Sequence, residues 1–551
     1  MDNSSTLFPS AINVDVQLPH VASGGKRASY YAAVALVLFV AWLMRSRTHI
    51  AKIEVPLYSA SKSKWIFEAE TLIKDSYAKA SLLRTSLLRN SLTVVQFRDR
   101  VYQIKGTEGV QVLVPAKLLG ELKGLPEDVL SATEAVADAL QSKYTKFSPG
   151  HNGDLLALLV RTKLTQNLTR VIPRMKKELE FILGSEFPTC EDWTPIKWQP
   201  FSVRVIARLS GHAFVGSSIS RDEKWMDTTV NFAIHVFTAC VKLQFFPEWA
   251  RPVGQHFVSE IRQIHKDIKI AKEMLKPIIE ERIRDLETPT GEEAPDDMIQ
   301  WLIDALPEEE KGDLTTQAEL QLILAAASIH TTNNLLCECL SDLATYPEFQ
   351  DELREEAYQI LEVEGGWARK ESMAKLKKMD SFMREVQRLR GNISKSKQTS
   401  TICLNTNRLL VSFIRKVMKP ISLSDGTQLP AGTKVIAPQA GISLDERYFP
   451  DPERFDALRF YNMRQESTEA SNRWQFTSLN DTNINFGAGK HACPGRFFAG
   501  NEVKLVLAHM LINYDIRLKA GEQRPKGMAV VMTKAPSPDM ELEFRRRSSA
   551  V

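Results

Sequence analysis

Apolar residues run unbroken through "YYAAVALVLFVAWLM" at positions 30–44, fenced by Lys26 and Arg27 before and by Arg45 and Arg47 after. A full helical span uses about 20 apolar residues, so this run makes a short membrane anchor. Tyr30, Tyr31 and Trp42 stand near its ends, where aromatic rings suit the two interfaces. Lys52, Lys62 and Lys64 add to the basic excess after the run, whereas Lys26 and Arg27 are partly offset by Asp2 and Asp15. The positive-inside bias predicts a tail (1–29) across the membrane, a transmembrane anchor (30–47) and a cytosolic body (55–551). The long polar lead and the missing small-residue cleavage pattern count against a cleaved signal peptide. In that orientation the sequon at Asn3 lies on the glycosylated side.

Beyond the anchor, "VYQIKGTEGVQVLVP" (101–115) reads as two short strands around a glycine-bearing turn. From 116 to 388 the pattern is mostly helical, broken by loops of which "ETPTGEEAPDD" (287–297) is the clearest. Thr316 and Glu319 make a capping box, and Pro347 supplies a stop. The helix between them has about 30 residues and a length of roughly 45 Å. Its middle is apolar all round, which predicts a path through the protein's centre. The stretch 409–440 is β-rich, with turns at Asp425-Gly426 and at Pro430–Gly432. The fold class expected is therefore mainly α with a small β portion.

Composition narrows the picture. The chain has 551 residues, 43% of them hydrophobic and 25% charged, which is ample for a large buried core and unlike a disordered chain. A net charge of +4 gives no case for nucleic-acid binding. Six cysteines (Cys190, Cys240, Cys337, Cys339, Cys403 and Cys493) are scattered without regular spacing, which argues for a reducing compartment and against a disulfide scaffold.

One cysteine has unusual neighbours. In "NFGAGKHACPGRFFAG" (485–500), Gly487, Gly489 and Gly495 allow close backbone approaches, Pro494 fixes φ, and Phe486 offers an apolar wall. Lys490 and His491 add positive charge, and the next helix begins just past Cys493, so its first amides can favour a thiolate. A lone cysteine in this setting can be a nucleophile, a metal ligand or a structural residue. No second cysteine lies close enough for a zinc site. A haem ligand accounts for the glycines, the aromatic and the basic residues together.

"FGAGKHACPG" resembles the haem-binding signature of the cytochromes P-450, Phe-x-x-Gly-x-(Arg/His)-x-Cys-x-Gly, and meets every fixed position with Phe486, Gly489, His491, Cys493 and Gly495. The resemblance implies that Cys493 is the axial thiolate of haem b, whose electron donation favours O–O cleavage, and that His491 contacts a propionate. Glu385 and Arg388 match the family's Glu-x-x-Arg. "FPDPERFDALRF" (449–460) resembles its meander, which implies that Arg454 joins them in a structural charge network. In "AAASIHTT" (325–332), Ala327, Thr331 and Thr332 match the family's (Ala/Gly)-Gly-x-(Asp/Glu)-Thr-Thr, while Ser328 replaces the glycine and His330 the acid. Thr331 keeps the hydroxyl used in proton delivery, and His330 titrates near neutrality and can stand in for the acid. Arg161 falls where a propionate-binding arginine is expected, although Ala157 replaces the usual tryptophan, and Arg415 is a second arginine for that role.

The resemblance extends along the soluble chain and is closest to fungal oxidases of terpenoids and related secondary metabolites. It implies a monomeric monooxygenase anchored in the endoplasmic reticulum membrane, supplied with electrons by NADPH–cytochrome P-450 reductase, with Lys490 and Arg496 on the docking face. Its substrate is expected to be apolar and polycyclic, a terpenoid or meroterpenoid. Isomerisation, desaturation or ring formation on the same haem is the first alternative, and a non-catalytic haem-binding membrane protein the second. Two stretches depart from the family. "RGNISKSKQTSTICLNTNR" (390–408) is polar and aperiodic, and the leucines of "ASLLRTSLLRNSLTVVQ" (80–96) recur at a spacing that suits neither helix nor strand. Both read as atypical insertions, either retained introns or genuine surface loops; Gly391-Asn392 can be encoded with a donor-like GTAAC.

Overall fold

The computed structural model describes residues 53–58, 72–77, 80–84, 92–106, 109–148, 152–287, 294–390, 413–525, 527–530 and 533–548. The apolar run at 30–44 and most of the stretch 390–408 lie outside them. Four helices make the frame: Leu168–Glu186, Trp198–Ser220, Leu314–Thr345 and Arg496–Asn513, packed against one another as a bundle. Two further long helices, Glu223–Phe245 and Ser259–Glu287, pack across the central one, Leu314–Thr345.

The central helix has 32 residues, about 48 Å at 1.5 Å per residue. Its cap differs from the expected one. Asp313 accepts from the amides of Thr315 and Thr316 at 3.0 and 3.1 Å, and Thr316 lies inside the helix with its hydroxyl on Asp313. An aspartate preceding the turn reaches two orphan amides at once, which outcompetes a threonine one turn later. Core burial matches the apolar middle read from the sequence. Of residues 314–345, only Ala327 and Thr331 are exposed, four apart and thus on one face.

The β portion is a six-stranded mixed sheet in the order Leu57–Tyr58, Tyr102–Gly106, Gly109–Leu113, Lys434–Ile436, Ile414–Val417, Leu130–Ser131. The hairpin expected at 101–115 is there, and Gly426 and Gly432 take the positive φ that their two turns require. Arg415 sits opposite Val435 in this sheet, which fixes the arginine near the cysteine loop. A three-stranded antiparallel sheet joins Thr194–Lys197 to Tyr514–Arg517 through Glu541–Arg546. The leucine-spaced stretch is not aperiodic backbone: Ala80–Arg84 pairs antiparallel with Leu92–Gln96, with Leu82 opposite Val94. Strand pairing satisfies the backbone ladder whatever the spacing of its side chains.

Candidate functional site

The cysteine loop is built from backbone constraints. Cys493 donates its amide to the carbonyl of Phe486 at 2.7 Å, which closes the loop on itself. Gly487 and Gly489 take φ of +76° and +65°. A Cβ at Gly489 would collide with the carbonyl oxygen of Lys123, so protein backbone is what demands that glycine. Gly495 has no such crowding; it is the N-cap of the helix Arg496–Asn513. Phe486 meets Phe476 edge-on, with ring centroids 5.3 Å apart.

Cys493 differs from Cys190, Cys240, Cys337 and Cys339, which are buried, because part of its surface stays open. Burial raises its thiol above the usual range, opposed by hydrogen bonds from the amides of Gly495 and Arg496 and by the Arg496 charge. Two amides at a helix start aimed at one sulfur suit an anionic sulfur ligand. Arg496 is a fastener of this loop: its Nη1 donates to the carbonyl of Cys493 at 2.9 Å and its Nε to that of Thr477 at 3.2 Å.

The three basic residues expected at the propionates are in different states. Arg415 is buried, donates to the carbonyls of Ile414 and Ala488 at 2.8 and 3.2 Å, and covers the Phe413 ring at 4.2 Å. No carboxylate among the described residues lies within ion-pair distance of it, and burial lowers its pKa to about 10 against the opposing charge of Glu127. A buried guanidinium with spare donors and only carbonyl partners fits a carboxylate ligand such as a haem propionate. His491 has a carboxylate beside it, Glu127 Oε1, 2.5 Å from its Nε2 but not aligned for a hydrogen bond. Burial lowers the His491 pKa, Glu127 opposes that, and the charges of Arg415 and Lys490 add to it. Arg161 is exposed on a wide helical turn (Val160–Leu164), near enough to Arg496 for its charge to lower the Arg496 pKa beyond the effect of burial.

On the central helix the two motif residues part company. Thr331 faces the open side and donates Oγ1 to the carbonyls of Ala327 and Ser328 at 2.7 and 3.2 Å. His330 is buried on another side, where Nε2 donates to the Val230 carbonyl of helix Glu223–Phe245 at 2.9 Å. A carbonyl only accepts, so Nε2 carries the hydrogen, and burial lowers the His330 pKa despite that bond. Histidine stands at the motif position, yet the structure does not bring it to the hydroxyl it was expected to serve.

The charge network corrects a second expectation. Glu385 is fully buried and binds Arg388 through two bonds of 2.7 Å, as the Glu-x-x-Arg spacing predicts. The third member is Arg459, whose Nε lies 3.2 Å from Glu385 Oε1. Arg454 is exposed and contributes its carbonyl alone, to Arg459 at 3.0 Å and Arg388 at 3.5 Å. The turn Pro450–Asp451–Pro452 decides this: Arg388 and Arg459 both donate to its carbonyls, which brings the later arginine inward. The sequence reading missed Glu127, Arg459, Ser210 and Glu502. Glu502 is the one carboxylate of helix Arg496–Asn513, between Asn501 and Lys504, which reads locally as a solvated turn.

With this geometry in place, comparison with known proteins assigns the class. The sequence profile of the cytochrome P-450 family matches residues 190–402 and 406–542, breaking inside the polar stretch that departs from the family pattern. A cytochrome P-450 monooxygenase of Emericella nidulans is 30% identical over 99% of this chain and 97% of its own length. One of Penicillium canescens is 32% identical over 83% of this chain and 82% of its own, and one of Annulohypoxylon truncatum 31% over 92% and 94%. The chain belongs to the cytochrome P-450 family. It is a haem-thiolate monooxygenase of fungal secondary metabolism, and its cofactor is haem b, iron protoporphyrin IX.

Proposed function

We propose that this chain hydroxylates or otherwise oxidises an apolar, polycyclic secondary metabolite, a terpenoid or meroterpenoid, with O2 and electrons from NADPH–cytochrome P-450 reductase. Cys493 would hold the haem iron through its sulfur. Arg415 would take a propionate, His491 and Arg161 would serve the propionates as well, and Phe486 would wall the cysteine side of the site. Bound haem supplies the dioxygen chemistry. The residues bind and orient it, exclude water and move protons. The observation that carries this reading is the open patch of Ala327 and Thr331 on a helix whose other residues are buried or half-buried. It supports a cavity lined by a methyl and one hydroxyl, suited to an apolar substrate with a proton path beside it.

The cytosolic domain is held at the endoplasmic reticulum membrane by the anchor at 30–47. An apolar edge supports entry of substrate from that side: Phe245, Val253 and Phe257 are 68%, 64% and 78% exposed within one short stretch. Lys490, exposed beside the cysteine loop, belongs to the reductase face. The segments 80–96 and 390–408 are retained introns, and a transcript sequence that keeps both would reject that reading. Expression with the reductase in a host making the candidate terpenoids, under isotopically labelled O2, tests the reaction. One labelled oxygen in the product is expected. A product that forms without label would indicate isomerisation, desaturation or ring closure instead.

A further inference from the structure

A cavity of about 390 Å³ lies beside the helix Arg496–Asn513, where it meets the start of the helix Leu168–Glu186, the short helix Lys370–Lys375 and the loop at 475–477. Phe497, Gly500, Asn501 and Lys504 line it, spaced three and four apart on one helical face. Its size is that of a small-molecule site. Leu168, Met373 and Phe476 are buried and make apolar walls, while Ala374 and Phe497 are exposed and mark the mouth. Neither Ala327 nor Thr331 lines it, so it is separate from the open face of the central helix.

The charges that line the cavity do not balance. Lys370, Arg464 and Lys504 stand against one carboxylate, Asp380. That carboxylate is already shared: Oδ1 accepts from Lys504 Nζ at 2.6 Å, and Oδ2 from Arg464 Nη1 at 3.1 Å and from the Phe476 amide at 2.8 Å. Glu356, whose charge also acts on Lys504, has its oxygens on the amides of Lys378 and Met379. Buried Arg384 adds a further cation near Asp380, held by the carbonyls of Arg473 and Gln475. Arg464 and Lys504 are more than nine-tenths buried, and Arg464 Nε has no partner among the described residues. Lys504 donates once more, to the Met373 carbonyl at 3.1 Å, and keeps one N–H unused. Lys370 reaches only the Thr165 carbonyl, at 3.4 Å. A purely structural ion cluster would match its buried charges, and this one leaves cationic donors over.

We propose that this cavity binds an amphipathic monocarboxylate, a small molecule whose apolar body lies against Leu168, Met373 and Phe476 and whose carboxylate meets Arg464, Lys504 and Lys370. Charge-assisted hydrogen bonds to guanidinium and ammonium groups are the strong ones. A bare inorganic anion would leave the apolar walls uncovered, and a neutral apolar molecule would leave the cations uncompensated. The two innermost cations are buried, which favours a molecule that enters whole over an acidic side chain on a docked protein surface. Two contacts carry its presence to the cysteine loop. Phe476 meets Phe486 edge-on at 5.3 Å, and the Thr477 carbonyl accepts from Arg496, which holds the Cys493 carbonyl at 2.9 Å. The ligand is thus an effector that acts on the haem through the cysteine loop. That effect rests on the haem-thiolate class of the chain, whereas the binding does not.

The probe is naphthoate, with naphthamide as its neutral match and inorganic phosphate as an anion without an apolar body. Titration calorimetry on the haem-loaded full chain is expected to show naphthoate binding about tenfold or more tighter than either control. Lys370→Glu, at the cavity edge, and Ala374→Trp, which fills the mouth, leave the Asp380 cluster in place. Each is expected to weaken naphthoate binding about tenfold or more. Naphthoate is expected to shift the haem absorption band of the wild-type chain and not that of Ala374→Trp. Equal affinity for acid and amide, binding of phosphate as tight as that of naphthoate, or naphthoate binding unchanged in both variants would overturn the site. Binding without a band shift would overturn the effector role. A chain that takes no naphthoate, and whose Lys370→Glu variant is reduced more slowly by the reductase, would assign the cavity to a protein partner and overturn the proposal. Absence of a thiolate-type haem spectrum would overturn the class instead, and calorimetry reads the binding independently of it.

Discussion

Arg459 reaches Glu385 at 3.2 Å, while Arg454, five residues earlier in the same meander, stays at the surface. The buried carboxylate therefore has two guanidiniums, Arg388 and Arg459, and depends on both. Removing one partner of such a group leaves a buried charge under-compensated, at about 3–5 kcal/mol. Arg459→Ala is expected to lower the melting temperature sharply and cut haem content. Arg454→Ala keeps the carbonyl that Arg459 and Arg388 use and is expected to stay within about 0.5 kcal/mol of the parent. Thermal melts and haem-to-protein ratios of the two variants check this, and equal damage would return Arg454 to the network.

Gly489 meets the Lys123 carbonyl with no room for a Cβ and holds a positive φ. Gly489→Ala is expected to cost at least about 2 kcal/mol, from backbone strain and displacement of the Lys123 segment. Gly495→Ala, free of both constraints, is expected to cost less in the same melt. The order of the two melting temperatures is the measurement.

Among the described residues Arg415 has no carboxylate partner, whereas His491 has the Glu127 carboxylate 2.5 Å from its Nε2. Arg415→Leu is therefore expected to weaken haem retention about tenfold or more, and His491→Gln by less. Transfer of haem from each variant to apomyoglobin gives the comparison. Equal rates would mean that the two residues share the propionates evenly.

His330 carries a pH signature of a structural histidine. Its pKa in the folded chain is lowered below the ordinary 6.5 by burial. The unfolded chain then binds the extra proton first, so stability is full above pH 6.5 and is lost as pH falls below it. One such group amounts to about 1 kcal/mol per pH unit on the acid side. His330→Gln, whose amide still donates to Val230, is expected to flatten that acid limb in pH-dependent melts while sparing the solvent isotope ratio of NADPH oxidation. A large change in that ratio would restore His330 to proton delivery.

Much of the fold and the cysteine loop was legible because local chemistry dictates them. The apolar middle of the central helix, the hairpin at 101–115 and the glycines before Cys493 each follow from neighbours in sequence. What escaped depends on contacts between distant segments. Arg454 and Arg459 look alike in the chain, and only the turn at Pro450–Pro452 selects between them. Asp313 and Thr316 both cap helices well, and the competition is settled by which reaches more amides. Ser210 and Glu502 stand among other polar residues (Arg208 and His212, Asn501 and Lys504), with nothing local to say that they meet Ser328. The strand pairing of 80–84 with 92–96 was hidden because hydrogen bonds between backbones leave no mark on leucine spacing.

The central claim is that Cys493 delivers a thiolate to haem in this chain, with the polar stretch 390–408 in place. Reduced-plus-CO difference spectroscopy of the full-length chain, beside Cys493→His, tests it most directly. The wild-type chain is expected to give the red-shifted Soret band of a thiolate-ligated haem, and the variant to lose that band while haem remains bound. A wild-type chain that binds haem without that band, or a variant that keeps it, would contradict the account.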